Sequence, residues 1–336
     1  MIKEMSLELL DRCLLRCKHC STEAGIEGKK SLDKDTVYSV IRQAKVLGLE
    51  SLSFSGGEPF LYEDFWDVVC FARNLNISIK VYTSGVIEQG GVPAPIDLPT
   101  SLKLSKLVDK VIVSIHGPTS SIHDEITCLE GSFDITLKSI IALKEFNTIE
   151  VHTVPMKVNL FYLGEVVHLC ESLGIQDISF LRLVPQGRCL ENPEILMDNE
   201  DYRVLHSVIS GLNPQDIKIR KGSPFRCLFL DQAGKCTAAK NKLMVSPDGG
   251  IFPCEAFKSF TAHSNVKKVT LVQAWENDPL LVGLRNIACI SECDSCPYYR
   301  TCFGGCPGQR LLVYQNFNQG PDPACQFELN RHSCAR

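Results

Sequence analysis

Residues 13–20 read Cys13-Leu14-Leu15-Arg16-Cys17-Lys18-His19-Cys20, three cysteines spaced C-x3-C-x2-C directly after a strand-like run, Ser6 to Leu10. Thiolates this close together on one tight loop can converge on a single metal centre. Their number is the informative part. A closed structural zinc site takes four protein ligands, and so does the cubane iron–sulfur cluster of an electron carrier. Three ligands leave one metal corner for something exogenous. The spacing also suits a zinc site completed by His19 or by a distant cysteine, so the loop alone leaves both readings open.

Beyond this loop, short β-rich runs alternate with helix-length amphipathic stretches. Strands are predicted at 6–10, 51–55, 77–82, 110–115, 149–154 and 177–183, and helices near 33–47, 64–75, 100–107, 133–146, 162–173 and 199–211. Asp33 and Asp64 read as helix N-caps, and Gly48 and Gly174 as C-terminal stops. Such alternation implies an α/β fold with parallel strands joined by right-handed crossovers. In parallel α/β folds, chemistry belongs at the C-terminal ends of the strands. The notable motifs fall there. Gly56-Gly57-Glu58-Pro59 follows the second strand, and Thr83-Ser84-Gly85 the third. Ser114-Ile115-His116-Gly117 follows the fourth, Val154 and Asn159 the fifth, and Arg182 and Val184 end the sixth. The paired glycines let backbone approach a ligand closely, and Glu58 offers an acceptor for an ammonium group.

At 336 residues the chain exceeds the usual single-domain size. A hydrophobic content of 44% is enough for a sizeable core. The net charge is −4 and there is no long basic run, which argues against nucleic acid or an anionic membrane as a partner. The N-terminus has no basic stretch leading into an apolar run, and nothing approaches the length of a membrane span, so a cytoplasmic location is expected. Seventeen cysteines in a chain of this size point to metal or redox chemistry rather than to a small disulfide scaffold. More than half lie after residue 220, which places a domain boundary between 1–215 and 216–336. That last third reads Cys236-x12-Gly249-x4-Cys254, then Cys293-x2-Cys296-x5-Cys302-x3-Cys306, then Cys325.

The N-terminal loop resembles the signature of the radical S-adenosylmethionine (radical SAM) family, with His19 in a slot where an aromatic residue is commoner. Gly56-Gly57-Glu58-Pro59, on the next strand, is similar to that family's second motif. The late cysteines resemble the family's SPASM extension, so the likeness covers nearly the whole chain. It implies a partial (β/α)6 TIM-like barrel over 1–215 and a cysteine-rich SPASM domain over 216–336. It further implies a [4Fe-4S] cluster on Cys13, Cys17 and Cys20, with S-adenosyl-L-methionine on the fourth iron. Gly56, Gly57, Glu58 and Pro59 would then hold the methionine amino group. Ser84 stands where relatives often carry Asn, and Ser114 matches a serine used against the ribose or carboxylate. Asn159 and Val154 would border the adenine or ribose, and Arg182 and Val184 would meet the SAM carboxylate or the substrate. His116 reads as a loop histidine.

The same resemblance assigns one auxiliary cluster to Cys227, Cys236, Cys254 and Cys306 and a second to Cys293, Cys296, Cys302 and Cys325. Without Cys227 the first would have an open iron. Zinc in both places is the alternative. Glu255 occupies the position of a candidate general base, an aspartate in sulfatase-maturing relatives; a surface glutamate is the plainer reading. Cys70 and Cys170 read as core, and Cys189 and Cys289 as loop thiols that could react. The implied activity is that of a radical SAM oxidoreductase or maturase. One electron from a flavodoxin or ferredoxin-type reductant cleaves SAM, the 5′-deoxyadenosyl radical removes a hydrogen atom, and a second electron leaves through the auxiliary clusters. The expected outcome is a crosslink, thioether or desaturation in a ribosomally made peptide or protein. Dehydrogenation or epimerisation of a small molecule, such as an aminoglycoside-type sugar, is the alternative. A non-enzymatic cluster carrier or zinc scaffold is a third class. Only twelve residues precede Cys13, so a peptide substrate is expected to dock directly or through a separate recognition protein.

Overall fold

The computed structural model describes residues 1–214, 216–230, 236–287, 289–325 and 327. Its strands are β1 (Glu4–Glu8), β2 (Ser51–Ser55), β3 (Ser78–Thr83), β4 (Val86–Gln89), β5 (Val92–Pro95), β6 (Lys110–Ser114), β7 (Ile149–Thr153), β8 (Asp177–Phe180), β9 (Lys218–Lys221), β10 (Lys242–Val245) and β11 (Ile251–Phe252). The helices of the first two-thirds are α1 (Lys34–Val46), α2 (Phe65–Asn74), α3 (Leu98–Ser105), α4 (Ser120–Thr127), α5 (Ser132–Lys144), α6 (Leu163–Ser172) and α7 (Asn199–Gly211). All six predicted strands form, paired in parallel in the order β1-β2-β3-β6-β7-β8.

Two further parallel strands extend this sheet. β9 pairs with β8 at one edge, and β10 pairs with β1 at the other, with β11 antiparallel outside β10. The sheet therefore runs across residue 215, where the sequence places a domain boundary. Each added strand has four residues, and β9 is Lys-Ile-Arg-Lys, so neither carries an apolar run that stands out. Charged residues suit a sheet edge. The hairpin β4–β5 and helix α4 also go beyond the expected elements.

Local signals account for the rest. The Asp33 side chain accepts from the Thr36 amide and caps α1, whose Val37, Val40, Ile41 and Ala44 form one buried stripe. Gly48 and Gly174 both take positive φ just past their helices. Asp64 sits at the start of α2 but makes no capping bond; it pairs with Lys34 at 2.7 Å instead. β2 points Leu52 and Phe54 into the core that α2 closes with Val68, Val69 and Ala72. Ser6 of β1, Tyr82 of β3, His152 of β7 and Lys242 of β10 all line one cavity, so the sheet curves around an interior.

That interior contains charge. Glu150 is 5% exposed, lies 2.9 Å from Lys110 Nζ, and accepts from Ser179 Oγ and His152 Nε2. Burial alone would raise its pKa, but these donors outweigh burial and hold it well below the ordinary carboxylate range. A carboxylate lowered by folding contributes stability above its unfolded pKa and loses it as pH falls toward the folded one. The melting temperature is therefore expected to fall as pH drops below the ordinary glutamate value of 4.5, and Glu150→Gln should flatten that acid limb. Thermal scans from neutral pH to below 4.5 test this; equal slopes in both proteins would refute it.

Candidate functional site

The cysteine loop is clipped onto the end of β2 by backbone. Gly57 N donates to Leu10 O and Glu58 N to Arg12 O at 2.6 and 2.9 Å. A Cβ on Gly56 would collide with Leu10 O, and one on Gly57 with Arg12 O. The close approach that needs these glycines is thus to the cysteine loop itself. Gly56 and Gly57 still line a cavity of about 190 Å³ beside Cys13, Cys17 and Cys20. Ser84 and Ser114 line the same cavity.

The protein atoms around this cavity are suited to hold a larger group. Burial first, and neighbouring charge second, push the Cys13 thiol up to about 12, and Cys17 is raised well above its usual value by burial and by Cys13 and Cys20. Buried thiols that repel one another's ionised forms become stable thiolates on a metal. His19 Nδ1 is buried and has no hydrogen-bond partner. The His19 ring meets His116 edge-on at 4.3 Å, and His116 and His123 both form cavity wall. The loop histidine expected at 116 is therefore part of the site. Among the described residues no three His, Cys, Asp or Glu converge tightly enough for a single metal ion. The residues fit the wider span of an iron–sulfur cluster with a molecule on its open corner.

Several residues expected to contact the ligand bond to protein groups here. The Glu58 carboxylate is fully buried and lines neither cavity. It accepts from Thr83 Oγ1 at 2.8 Å and from Ser84 N and Oγ at 2.9 and 2.7 Å. Burial raises its pKa to about 7 against these bonds. Pro59 is buried and opens a short 3-10 turn. Asn159 is also buried; its Nδ2 donates to His116 O and Val154 O, tying together the ends of β6 and β7. Arg182 pairs with Asp322 at 2.8 Å and donates to Pro224 O. Cys189 lies in an apolar cluster with Ile126, Met156, Leu183 and Ile195, so the reactive-loop reading gives way to a core role. Cys170 is core as expected, Cys70 is half-buried, and Cys289 is exposed beside Asp294. Val184 lines the second cavity.

That second cavity measures about 530 Å³ and shares His19, Cys20, Ser55, Gly56 and Tyr82 with the first. Its far wall carries Cys236, Cys254, Cys306, Glu255 and Lys242. Burial pushes the Glu255 carboxyl up most, but the Lys242 ammonium, a backbone hydrogen bond and Lys258 together outweigh it and hold the pKa below the ordinary value. Cys293 lies within electrostatic reach of Cys302, Cys325 and Cys296. Cys227, expected beside Cys236, Cys254 and Cys306, is buried, lines neither cavity and donates to Ala324 O at 3.6 Å; burial first and Asp322 second raise its thiol well above the usual value.

Three connectors escape the sequence reading. Arg188 donates to Cys17 O at 2.9 Å and also to Ala24 O, bracing the cysteine loop. Gln186 donates to Glu255 O at 2.6 Å and accepts from Ser259 N. Asp322 accepts from Arg182, Cys306 N and Ala324 N. The Pro-Gln-Gly-Arg run at 185–188 holds a usable signal, since Gly187 adopts φ +61° against Cys20 O.

Three clustered thiols at the strand ends, a cavity leading away from them and more thiols on its far wall define a multi-thiol metalloprotein on a parallel α/β scaffold. Residues 7–170 match the radical SAM superfamily, and residues 236–297 match the SPASM iron–sulfur cluster-binding domain. The chain belongs to the radical SAM enzymes that carry a SPASM domain. It is 26% identical over 332 residues to mycofactocin maturase MftC of Mycobacterium tuberculosis (strain CDC 1551 / Oshkosh), covering 96% of this chain and 82% of that protein. It is 27% identical over 336 residues to the PqqA peptide cyclase of Gluconobacter oxydans, covering 95% and 89%. SuiB of Streptococcus suis bound to S-adenosylmethionine superposes with a TM-score of 0.77 at 21% identity, over 97% of this chain and 77% of that one. The SuiB fold is the TIM-like partial barrel expected here. Among the described residues no helix is long and apolar enough to cross a membrane.

Proposed function

We propose that this enzyme oxidatively modifies a ribosomally made peptide by radical chemistry, forming a crosslink, thioether or desaturation. The observation that carries the reading is the larger cavity, with Cys20 and His19 at one end and Cys236, Cys254, Cys306 and Glu255 at the other. A substrate there lies between two metal-binding thiol sets, placed for hydrogen removal at one end and electron loss at the other. The names of the relatives support a peptide: a mycofactocin maturase, a PqqA peptide cyclase, and SuiB, solved with its precursor peptide SuiA.

Cys13, Cys17 and Cys20 would hold a [4Fe-4S] cluster, with Gly56, Gly57, Ser84, Ser114 and His116 around S-adenosyl-L-methionine. Bound there, the pair supplies a radical that removes hydrogen from an unactivated C–H bond. Glu58 fixes the Thr83–Ser84 turn that frames this ligand, and Asn159 fixes His116. Val184 borders the substrate. Cys227, Cys236, Cys254 and Cys306 would hold one auxiliary cluster and Cys293, Cys296, Cys302 and Cys325 the second. Residues 1–215 supply the radical and 216–336 the electron path. Glu255 takes the proton released as the substrate is oxidised. A flavodoxin or ferredoxin-type donor in the cytoplasm feeds the first cluster, and a separate protein can present the peptide.

The test is intact-mass analysis of short peptides encoded beside the gene, co-expressed with this chain under low oxygen. Loss of two hydrogen atoms is the expected result. No mass change with any such peptide would overturn the peptide reading. In Glu255→Gln, product should fall by roughly 10²-fold or more, the usual contribution of a positioned base, while 5′-deoxyadenosine release continues. Equal loss of both would remove Glu255 from the proton step.

A further inference from the structure

Among the charged groups lining the larger cavity, most have a close partner. Glu8 lies 2.7 Å from Lys258, Arg182 is paired with Asp322, and His152 meets Glu150. Lys242 differs. It makes no side-chain hydrogen bond and no ion pair within 4 Å among the described residues; the charged neighbours that act on it most are the Glu255 carboxylate first and the Cys254 thiol second.

Two backbone features set its place. β10 and β11 run antiparallel with Met244 opposite Phe252 and Val245 opposite Ile251. Lys242 precedes Met244 by two residues and Cys254 follows Phe252 by two, so both leave the same end of this pair, and the Cys254 thiol acts electrostatically on Lys242. On the other side, Lys242 N donates to Thr237 O at 3.1 Å, one residue from Cys236. Lys242 is thus held between two of the three thiols that line the far wall, and all of them face the same cavity.

We propose that Lys242 is the charge-compensating residue of the auxiliary site formed by Cys236, Cys254 and Cys306, and that its ammonium raises the reduction potential of the cluster bound there. The proposal rests on the cluster reading above. Thiolate-ligated clusters carry net negative charge, and their potentials follow local charge and hydrogen bonding. A fixed cation close by favours the reduced form. Lys242 touches no reacting atom; it is a positioning residue that acts through the cluster.

The experiment is a potentiometric titration of the purified, cluster-loaded enzyme followed by EPR, with iron and sulfide assayed on each sample. Lys242→Met and Lys242→Gln should each move one auxiliary midpoint to lower potential and leave the other auxiliary midpoint in place. Lys242→Arg should keep the wild-type values. If both neutral variants lose iron that Lys242→Arg retains, the requirement for positive charge is supported by that route. Unchanged midpoints in iron-replete Lys242→Met would overturn the inference and leave the function standing. An Arg variant that shifts like the neutral ones would do the same. Wild-type protein without iron or sulfide would remove the cluster reading itself, and this inference with it.

Discussion

Cys17→Ala is expected to reduce reductive release of 5′-deoxyadenosine from S-adenosyl-L-methionine to background while the iron held by the later cysteines stays in place. The loop offers three thiols, so losing one leaves two ligands, too few to keep a cluster with an open corner. Cys17 is half-buried and lines the smaller cavity between Cys13 and Cys20. The fold should tolerate the change. Arg188 braces this loop through the Cys17 carbonyl rather than its sulfur, and the Cys13 and Gly25 backbones bond at 3.0 Å. Both contacts survive removal of the thiol. The checks are nucleoside release under reduction, iron per chain, and the melting temperature. Continued release with a normal melting temperature would show that this loop is not the site of SAM cleavage.

Asp322→Asn is expected to destabilise the protein by about 3–5 kcal/mol, the usual cost of breaking a buried ion pair by removing one charge. Asp322 and Arg182 are both essentially inaccessible, and their nearest atoms are 2.8 Å apart. The asparagine keeps an acceptor for Ala324 N but leaves the Arg182 charge uncompensated in the interior. The pair joins the end of β8 to the segment before Cys325 and, through Cys306 N, to the wall of the larger cavity. Iron bound by the late cysteines should therefore fall as well. Denaturant unfolding under anaerobic conditions, with iron content, measures both. Adding Arg182→Met to Asp322→Asn should recover part of the loss, because contacting groups are not additive. A single-variant cost below about 1 kcal/mol, surface-pair size, would mean that the interior there relaxes or admits water.

Much of this enzyme was legible before any coordinates. The spacing of Cys13, Cys17 and Cys20 placed the three thiols together because residues a few positions apart on one turn need no tertiary structure to meet, and all three line one cavity. The six βα strands were legible because parallel strands buried on both faces, such as Lys110–Ser114 with its three buried residues, read as apolar runs between amphipathic helices. The late cysteines carried a spacing pattern for the same reason as the first three. β9 and β10 were missed because four-residue strands have too few positions to display a period, and one of them is charged.

The roles of the polar residues were decided by tertiary structure alone. Glu58, Asn159 and Arg182 each lie at a strand end, where sequence position suits a ligand contact. In the structure Glu58 and Asn159 bond to protein, to Thr83 and Ser84 and to the His116 and Val154 carbonyls, while Arg182 lines the larger cavity and pairs with Asp322. A buried polar side chain takes whichever partner the fold brings within about 3 Å, and those partners lie up to 140 residues away along the chain. Cys189 reads as a polar-loop thiol but packs among apolar side chains for the same reason. The chain's own residues, through local spacing, determined which thiols are grouped. Which residues face those thiols and which only hold them in place was set by contacts that exist only once the sheet has curved and the late cysteines have closed over it.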